Sequence, residues 1–197
     1  CKIMAFDRCL SDCCFSRFWP RIPQLCRTKE PAMPKIHDER LSAQIEGDFV
    51  VFLIGIRINR PLRVHKWLPA VMAMPRMLRE LSNMPKEESG FLGYTVLGFG
   101  NQVQYWRSYD HLEAYANAKN AEHFPAWRGF NKRMADSRGD VGIWHETYLV
   151  QAGNFECVYS GMPAYGLGKA TSLVPATGAM SGSRKRIAAA IAASQAD

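Results

Sequence analysis

The apolar positions of this chain fall into blocks of two different periods. "DFVVFLIGIRIN", residues 48–59, is a near-continuous run of β-branched and aromatic residues closed by "NRP", which marks a strand. In "HKWLPAVMAMPRMLREL", 65–81, Trp67, Val71, Met74, Leu78 and Leu81 recur at spacings of four and three. That is one face of a helix. Pro69 is tolerated in the first turn, whereas Pro75 is expected to kink or split the helix. "GFLGYTVLGFGNQVQYWRS", 90–108, reads as two strands around a short turn near Gly98, Gly100 and Asn101. Ser108 is a suitable N-cap for a helix that places Leu112 and Tyr115 on one face. A further helical piece groups Phe124, Trp127 and Met134. "GDVGIWHETYLV", 139–150, is a fourth strand, and "FECVYSG", 155–161, a short fifth.

The order strand, helix, strand, strand, helix, strand predicts an α+β domain of the ferredoxin-like βαββαβ type. Its antiparallel sheet carries helices on one face, and the other face must also be covered. With no second layer evident in the pattern, self-association is the expected cover. The predicted domain runs over 33–168. After it come small residues, "ATSLVPATGAMSGSRKRIAAAIAASQAD", read as a flexible basic and Ala-rich tail over 169–197.

Charge looks at first like a nucleic-acid signal, with a formal net charge of +7. Divided along the chain it is not. Residues 1–32 contribute +3 and 169–197 another +3, leaving +1 for the body between them. Bulk charge therefore does not argue for a nucleic-acid groove. Five of the six cysteines lie in the first 26 residues, in "CLSDCCF" and its surroundings, without C-x-x-C spacing or a secretory h-region. "EPAMPKIHDERL" offers a start at Met33, so residues 1–32 are expected to be a disordered or non-native extension. A domain with Cys157 as its sole thiol suits a reducing cytoplasm. No window is apolar enough to predict a membrane helix.

Several chemistries are unsupported. "GMPAYGLGKATS" fails as a phosphate loop, because Pro163 stands at the first glycine position and Ala170 where a hydroxyl is needed. His111 and Glu113 are two apart on a helix, about 200° around its axis, and cannot share an ion. His145 and Glu146 are strand neighbours pointing to opposite faces. No mononuclear metal site is predicted, although one neutral histidine could still ligate haem. There is no G-x-S-x-G elbow, and Cys157 reads as a small buried or edge residue.

What remains is aromatic and polar. Strand alternation puts Val103, Tyr105 and Arg107 on one face and Gln102, Gln104 and Trp106 on the other. On the fourth strand Ile143, His145 and Thr147 oppose Trp144, Glu146 and Tyr148. Tyr115, His123 and Trp127 belong to the covering helical segment. Such residues suit a small, partly aromatic ligand held between helix and sheet. Each also has a plainer role available: core packing for the tryptophans, a surface or dimer-edge ion pair for Arg107, a satisfied core histidine for His145.

"VQYWRSYDHLEAYANAKNAEHFPAWRGFN" resembles the strand-helix signature of the antibiotic-biosynthesis-monooxygenase type of dimeric α+β barrel. Ser108, Leu112, Ala114, Tyr115, His123, Ala126, Trp127 and Arg128 carry it. "IEGDFVVFLIGIRIN", "HKWLPAVMAMPRML", "GDVGIWHETYLV" and "GMPAYGLGKATSLVPATG" are similar to the family grouped with a fungal monooxygenase of the fumagillin pathway. The resemblance spans roughly 34–178. It implies a ferredoxin-like monomer pairing sheet to sheet as a homodimer, and oxygenation of a small oxidisable molecule by O2 without metal or flavin. Haem binding is the alternative within this fold, and a non-catalytic small-molecule-binding homodimer is another. In the cofactor-free scheme a deprotonated substrate passes an electron to O2. His145 or His123 would be the base, Arg107 and Tyr105 would steady the anion, and Tyr115, Trp127 and Trp106 would wall the pocket.

Overall fold

The computed structural model describes residues 34–118 and 139–194. The strands are β1 (Leu41–Gln44), β2 (Phe49–Ile58), β3 (Phe91–Gly98), β4 (Asn101–Trp106), β5 (Val141–Val150) and β6 (Ser172–Pro175). The helices are α1 (Val64–Asn83), α2 (Lys86–Ser89), α3 (Tyr109–Asn117), α4 (Leu167–Ala170) and α5 (Ser183–Ser194), with a 3₁₀ turn at Gly178–Met180.

Four strands form one antiparallel sheet in the order β3-β4-β2-β5. With β2, α1, β3, β4, α3 and β5 following one another along the chain, this is the ferredoxin-like arrangement that the periodicity predicts. β2 lies between β4 and β5, which is why its sequence is apolar at nearly every position and not alternating. The β3–β4 hairpin closes over Phe99 and Gly100, within the predicted turn.

Register decides which side chains share a face. Val50 pairs with Trp106 and Leu149, Phe52 with Gln104 and Thr147, and Ile54 with Gln102 and His145. These point toward the helices. Their core is Val50, Phe91 and Trp106 from the sheet, Leu78 and Leu81 from α1, and Leu112 from α3. α1 runs unbroken through Pro69 and Pro75, so Pro75 does not split it as expected. Each proline deletes only one backbone hydrogen bond, and Leu78 and Leu81 beyond Pro75 are buried on the sheet.

The other face carries Phe49, Val51, Leu53, Val103 and Tyr105. Part of its cover comes from the chain itself, which the sequence reading did not anticipate. β1 and β6 pair antiparallel, Leu41 opposite Pro175 and Gln44 opposite Ser172. Two backbone hydrogen bonds between Leu41 and Tyr159, both 2.8 Å, attach the 155–161 segment to this ribbon. Leu41, Ala43, Tyr159, Leu167 and Ala170 then pack on the sheet. The segment 155–161 is not a full strand; it makes a single bridge. β1 and β6 are four residues each, too short for their periodicity to register.

Beyond β6, α5 is held by Arg186. This buried guanidinium donates from Nε to Glu156 Oε1 at 2.7 Å and from Nη1 to the Met180 carbonyl at 2.9 Å. Its Nη2 also contacts Glu156.

Candidate functional site

The sheet separates the residues singled out in the sequence. Tyr105 and Arg107 lie on the ribbon side. The Tyr105 phenol is buried there, and burial first, then Cys157 and Tyr165, push it above the usual tyrosine range, with the Leu167 backbone acting the other way. Arg107 is half-buried, and its Nη1 donates to the Glu46 carbonyl at 2.6 Å and the Asp48 carbonyl at 3.3 Å. It clamps the loop between β1 and β2.

Trp106, Tyr115 and His145 lie on the helix side. Trp106 is 0% exposed. Its ring meets Phe91 at 5.1 Å and Tyr115 at 5.7 Å between centroids, and its Nε1 donates to Gln104 Oε1 at 3.0 Å. It is a core residue that backs Tyr115 and does not itself line a surface. The His145 ring lies 5.7 Å from that of Phe52 and is exposed. His145 therefore sits across the sheet from Tyr105 and Arg107, and the three cannot converge on one small ligand. His123 and Trp127 lie outside the described residues.

Tyr115 does border a cleft. Between the C-terminal half of α1, α2 and α3 is a space of roughly 300 Å³, lined among the described residues by Glu80, Met84, Glu88, Ser89, His111, Ala114, Tyr115 and Ala118. That volume is at the lower end for small-molecule sites. The Tyr115 hydroxyl donates to Glu80 Oε2 at 3.1 Å. Burial and then the Glu80 charge raise its pKa well above the usual value, so it stays a neutral donor.

His111 is the cleft residue that sequence reasoning did not select. Ser108 caps α3, accepting from the His111 backbone N–H at 3.3 Å, and its Oγ lies 2.7 Å from His111 Nδ1. One hydroxyl thus starts the helix and orients the imidazole. On the opposite side the ring lies over Gly90, where an added Cβ would fall 2.3 Å from His111 Cγ. The spacing carried a signal: a residue three after an N-cap can fold its side chain back on the cap. Nothing in the periodicity marks Glu80.

A family model described as "Monooxygenase af470-like" matches residues 49–167. The chain belongs to that family. The matched span of this af470-like protein runs from the first residue of β2 to the first of α4, and so takes in both faces of the sheet and every described cleft residue. No curated protein matches the chain. Among solved structures it is similar to an aldoxime dehydratase, at 15% identity and a TM-score of 0.46, over 81% of this chain and 46% of that one. The chain thus spans less than half of that protein's length.

The described residues do not fit haem at this cleft. An axial ligand is available in His111, but the charged groups around it are Glu80 and Glu88. Two propionates would face carboxylates without a cation among the described lining. Among the described residues no three His, Cys, Asp or Glu side chains are grouped to hold a metal ion, and no helix is long and apolar enough to cross a membrane.

Proposed function

We propose that this af470-like protein is an oxygenase for a small, neutral, electron-rich organic molecule, which it binds on the helix side of the sheet. The observation that carries this reading is the cleft in which a histidine, fixed by Ser108, stands beside the Tyr115–Glu80 pair. The family match across the same elements supports it.

In this scheme His111 removes a proton from a phenolic or enolic substrate. The substrate anion passes an electron to O2, the radicals combine, and the peroxide loses water. One oxygen atom enters the substrate as a carbonyl and the other leaves as water. Both further electrons come from the substrate, so no external reductant is needed. His145, on the same side of the sheet but exposed, is the second candidate base. The two cleft carboxylates select against anionic substrates.

The working unit we propose is a homodimer. Trp144 and Tyr148 lie on the ribbon side of β5, and Leu149 on its helix side; all three are exposed, Leu149 to 70%. An edge strand bearing large apolar residues calls for a partner. Sedimentation reporting only monomers at micromolar concentration would remove that part.

Oxygen uptake with a panel of electron-rich phenols tests the activity. Turnover is expected with wild type, with at least about a hundredfold loss in His111→Gln and retained folding by circular dichroism. Saturable binding without oxygen uptake would make the protein a binder, and unchanged turnover in His111→Gln would move the base elsewhere.

A further inference from the structure

Two glutamines beneath α1 each leave part of the amide without an adequate partner among the described residues. Gln102 and Gln104 are 3% and 4% exposed. They sit on the helix side of β4, flanked by Ile54 and Phe52 on β2 and by Val96 and Tyr94 on β3. The indole N–H of Trp106 can only donate, so Gln104 must turn its carbonyl toward it. The Gln104 NH2 then points the other way, and it has no acceptor among the described residues. Gln102 is the complement. Its NH2 meets the Met74 sulfur at 2.8 Å, a weak acceptor, and its carbonyl oxygen has no donor among the described residues.

Buried amides are costly unless something satisfies them. A central strand of this kind ordinarily carries Val or Ile at such positions. Two polar residues at i and i+2, one offering a donor and the other an acceptor, are placed to grip a single hydroxyl. Their Cα atoms are about 7 Å apart along the strand, which leaves room for one oxygen between the amide heads.

The layer above them can move. Met74, which rests on Gln102, directly precedes Pro75, where α1 lacks a backbone hydrogen bond. The part of α1 before it has no fully buried residue: Trp67 and Val71 are half-buried, and Val64, Leu68 and Met72 are exposed. The part after it is anchored by Leu78 and Leu81.

We propose that Gln102 and Gln104 form a recognition site for a neutral phenol. Its hydroxyl accepts from Gln104 and donates to Gln102, and its ring slides under the N-terminal half of α1 as Met74 swings aside. Phe52, Ile54, Tyr94 and Val96 flank the amides and supply the apolar bed. Charged ligands are disfavoured because, among the described residues, no ionised group stands on this bed beside the amides. The claim concerns binding alone and is independent of oxygen chemistry and of the base assigned above.

The test uses the full chain and a naphthol, with naphthalene and a naphthoate as comparisons. Calorimetry gives the affinities, and side-chain amide NMR follows the NH2 signals of both glutamines. The naphthol is expected to bind at least about tenfold more tightly than naphthalene or the naphthoate, and to shift the Gln104 NH2 signals. Gln102→Leu should lose that preference while its melting temperature stays level or rises, since an amide whose only contact is a weak sulfur acceptor among the described residues has been replaced by an apolar group. Gln104→Leu serves as the second variant should the first fail to fold; it strands the Trp106 indole N–H and is expected to melt lower, so its ligand preference alone is read. Equal affinity for naphthol and naphthalene, as for amides saturated by water alone, would overturn the proposal. So would either variant that keeps the preference, or a Gln102→Leu protein that melts markedly lower because the amide is structural.

Discussion

Gly90→Ala probes the cleft through its most constrained backbone position. Gly90 ends α2 in the left-handed region, with φ of +64°. An L-residue there costs about 1–2 kcal/mol. The added methyl would also lie 2.3 Å from His111 Cγ and 2.6 Å from His111 Cβ. The ring cannot simply rotate away, because Ser108 holds its Nδ1 at 2.7 Å. Overpacking of this kind adds about 1–3 kcal/mol. The expected loss is therefore about 2–5 kcal/mol, or about 4–20 °C in melting temperature for a domain of this size. Gly161 is the control: its φ is +63°, and no atom lies within 4 Å of its added Cβ. Gly161→Ala should cost only the backbone share, about 1–2 kcal/mol. Gly90→Asn separates the two effects, since asparagine tolerates the left-handed region but keeps the clash. Thermal denaturation of the three variants is the assay. If Gly90→Ala melted no lower than Gly161→Ala, the packing of His111 against Gly90 would be wrong, and with it the orientation of the imidazole.

Arg107→Ala should destabilise by about 1 kcal/mol, through the loop carbonyls it releases, and leave turnover unchanged; a fall in kcat without loss of stability would return Arg107 to the reacting centre. Arg186→Ala strands Glu156 and frees α5, so hydrogen exchange in Ser183–Ser194 should accelerate while the four-stranded sheet stays protected; uniform acceleration would refute the local anchoring. The phenols of Tyr105, Tyr115 and Tyr159 are all raised by burial. Unfolded tyrosines titrate near pH 10, so as pH climbs past that value the unfolded chain loses protons first. Their stabilising share is present below about pH 10 and lost above it. Denaturant midpoints should fall across that window, and a flat profile would contradict the burial of these rings.

The sheet was legible because its strands are long and chemically uniform: β2 spans ten residues of which Gly55 and Arg57 alone are not large and apolar. α1 was legible from five apolar residues on one stripe, and its C-terminal half packs as that stripe requires. Strand alternation sorted Tyr105 from Trp106 correctly, but it cannot say which face meets the helices. That choice is fixed by tertiary packing, and it places His145 on the opposite side from Arg107. His111 went unselected because Gly90, just after α2, and Glu80, on α1, come to border the same cleft only through how those elements pack. The far-side ribbon was invisible for a related reason. Its strands are too short to show a period, and they meet across more than a hundred residues: the Ser172 hydroxyl bonds the Gln44 carbonyl over a separation of 128.

That last pairing has a consequence for the order in which the molecule can be made. As the chain emerges from a ribosome, the sheet can assemble once β5 is out, yet Phe49, Val103 and Tyr105 stay uncovered until the final partner of Leu41 arrives. A nascent sheet with one greasy side bare is prone to stick to its neighbours. The seam between β1 and β6 acts as a zip fastened last, so damage to it should show first in yield and aggregation during synthesis, before it shows in the melting of protein already made.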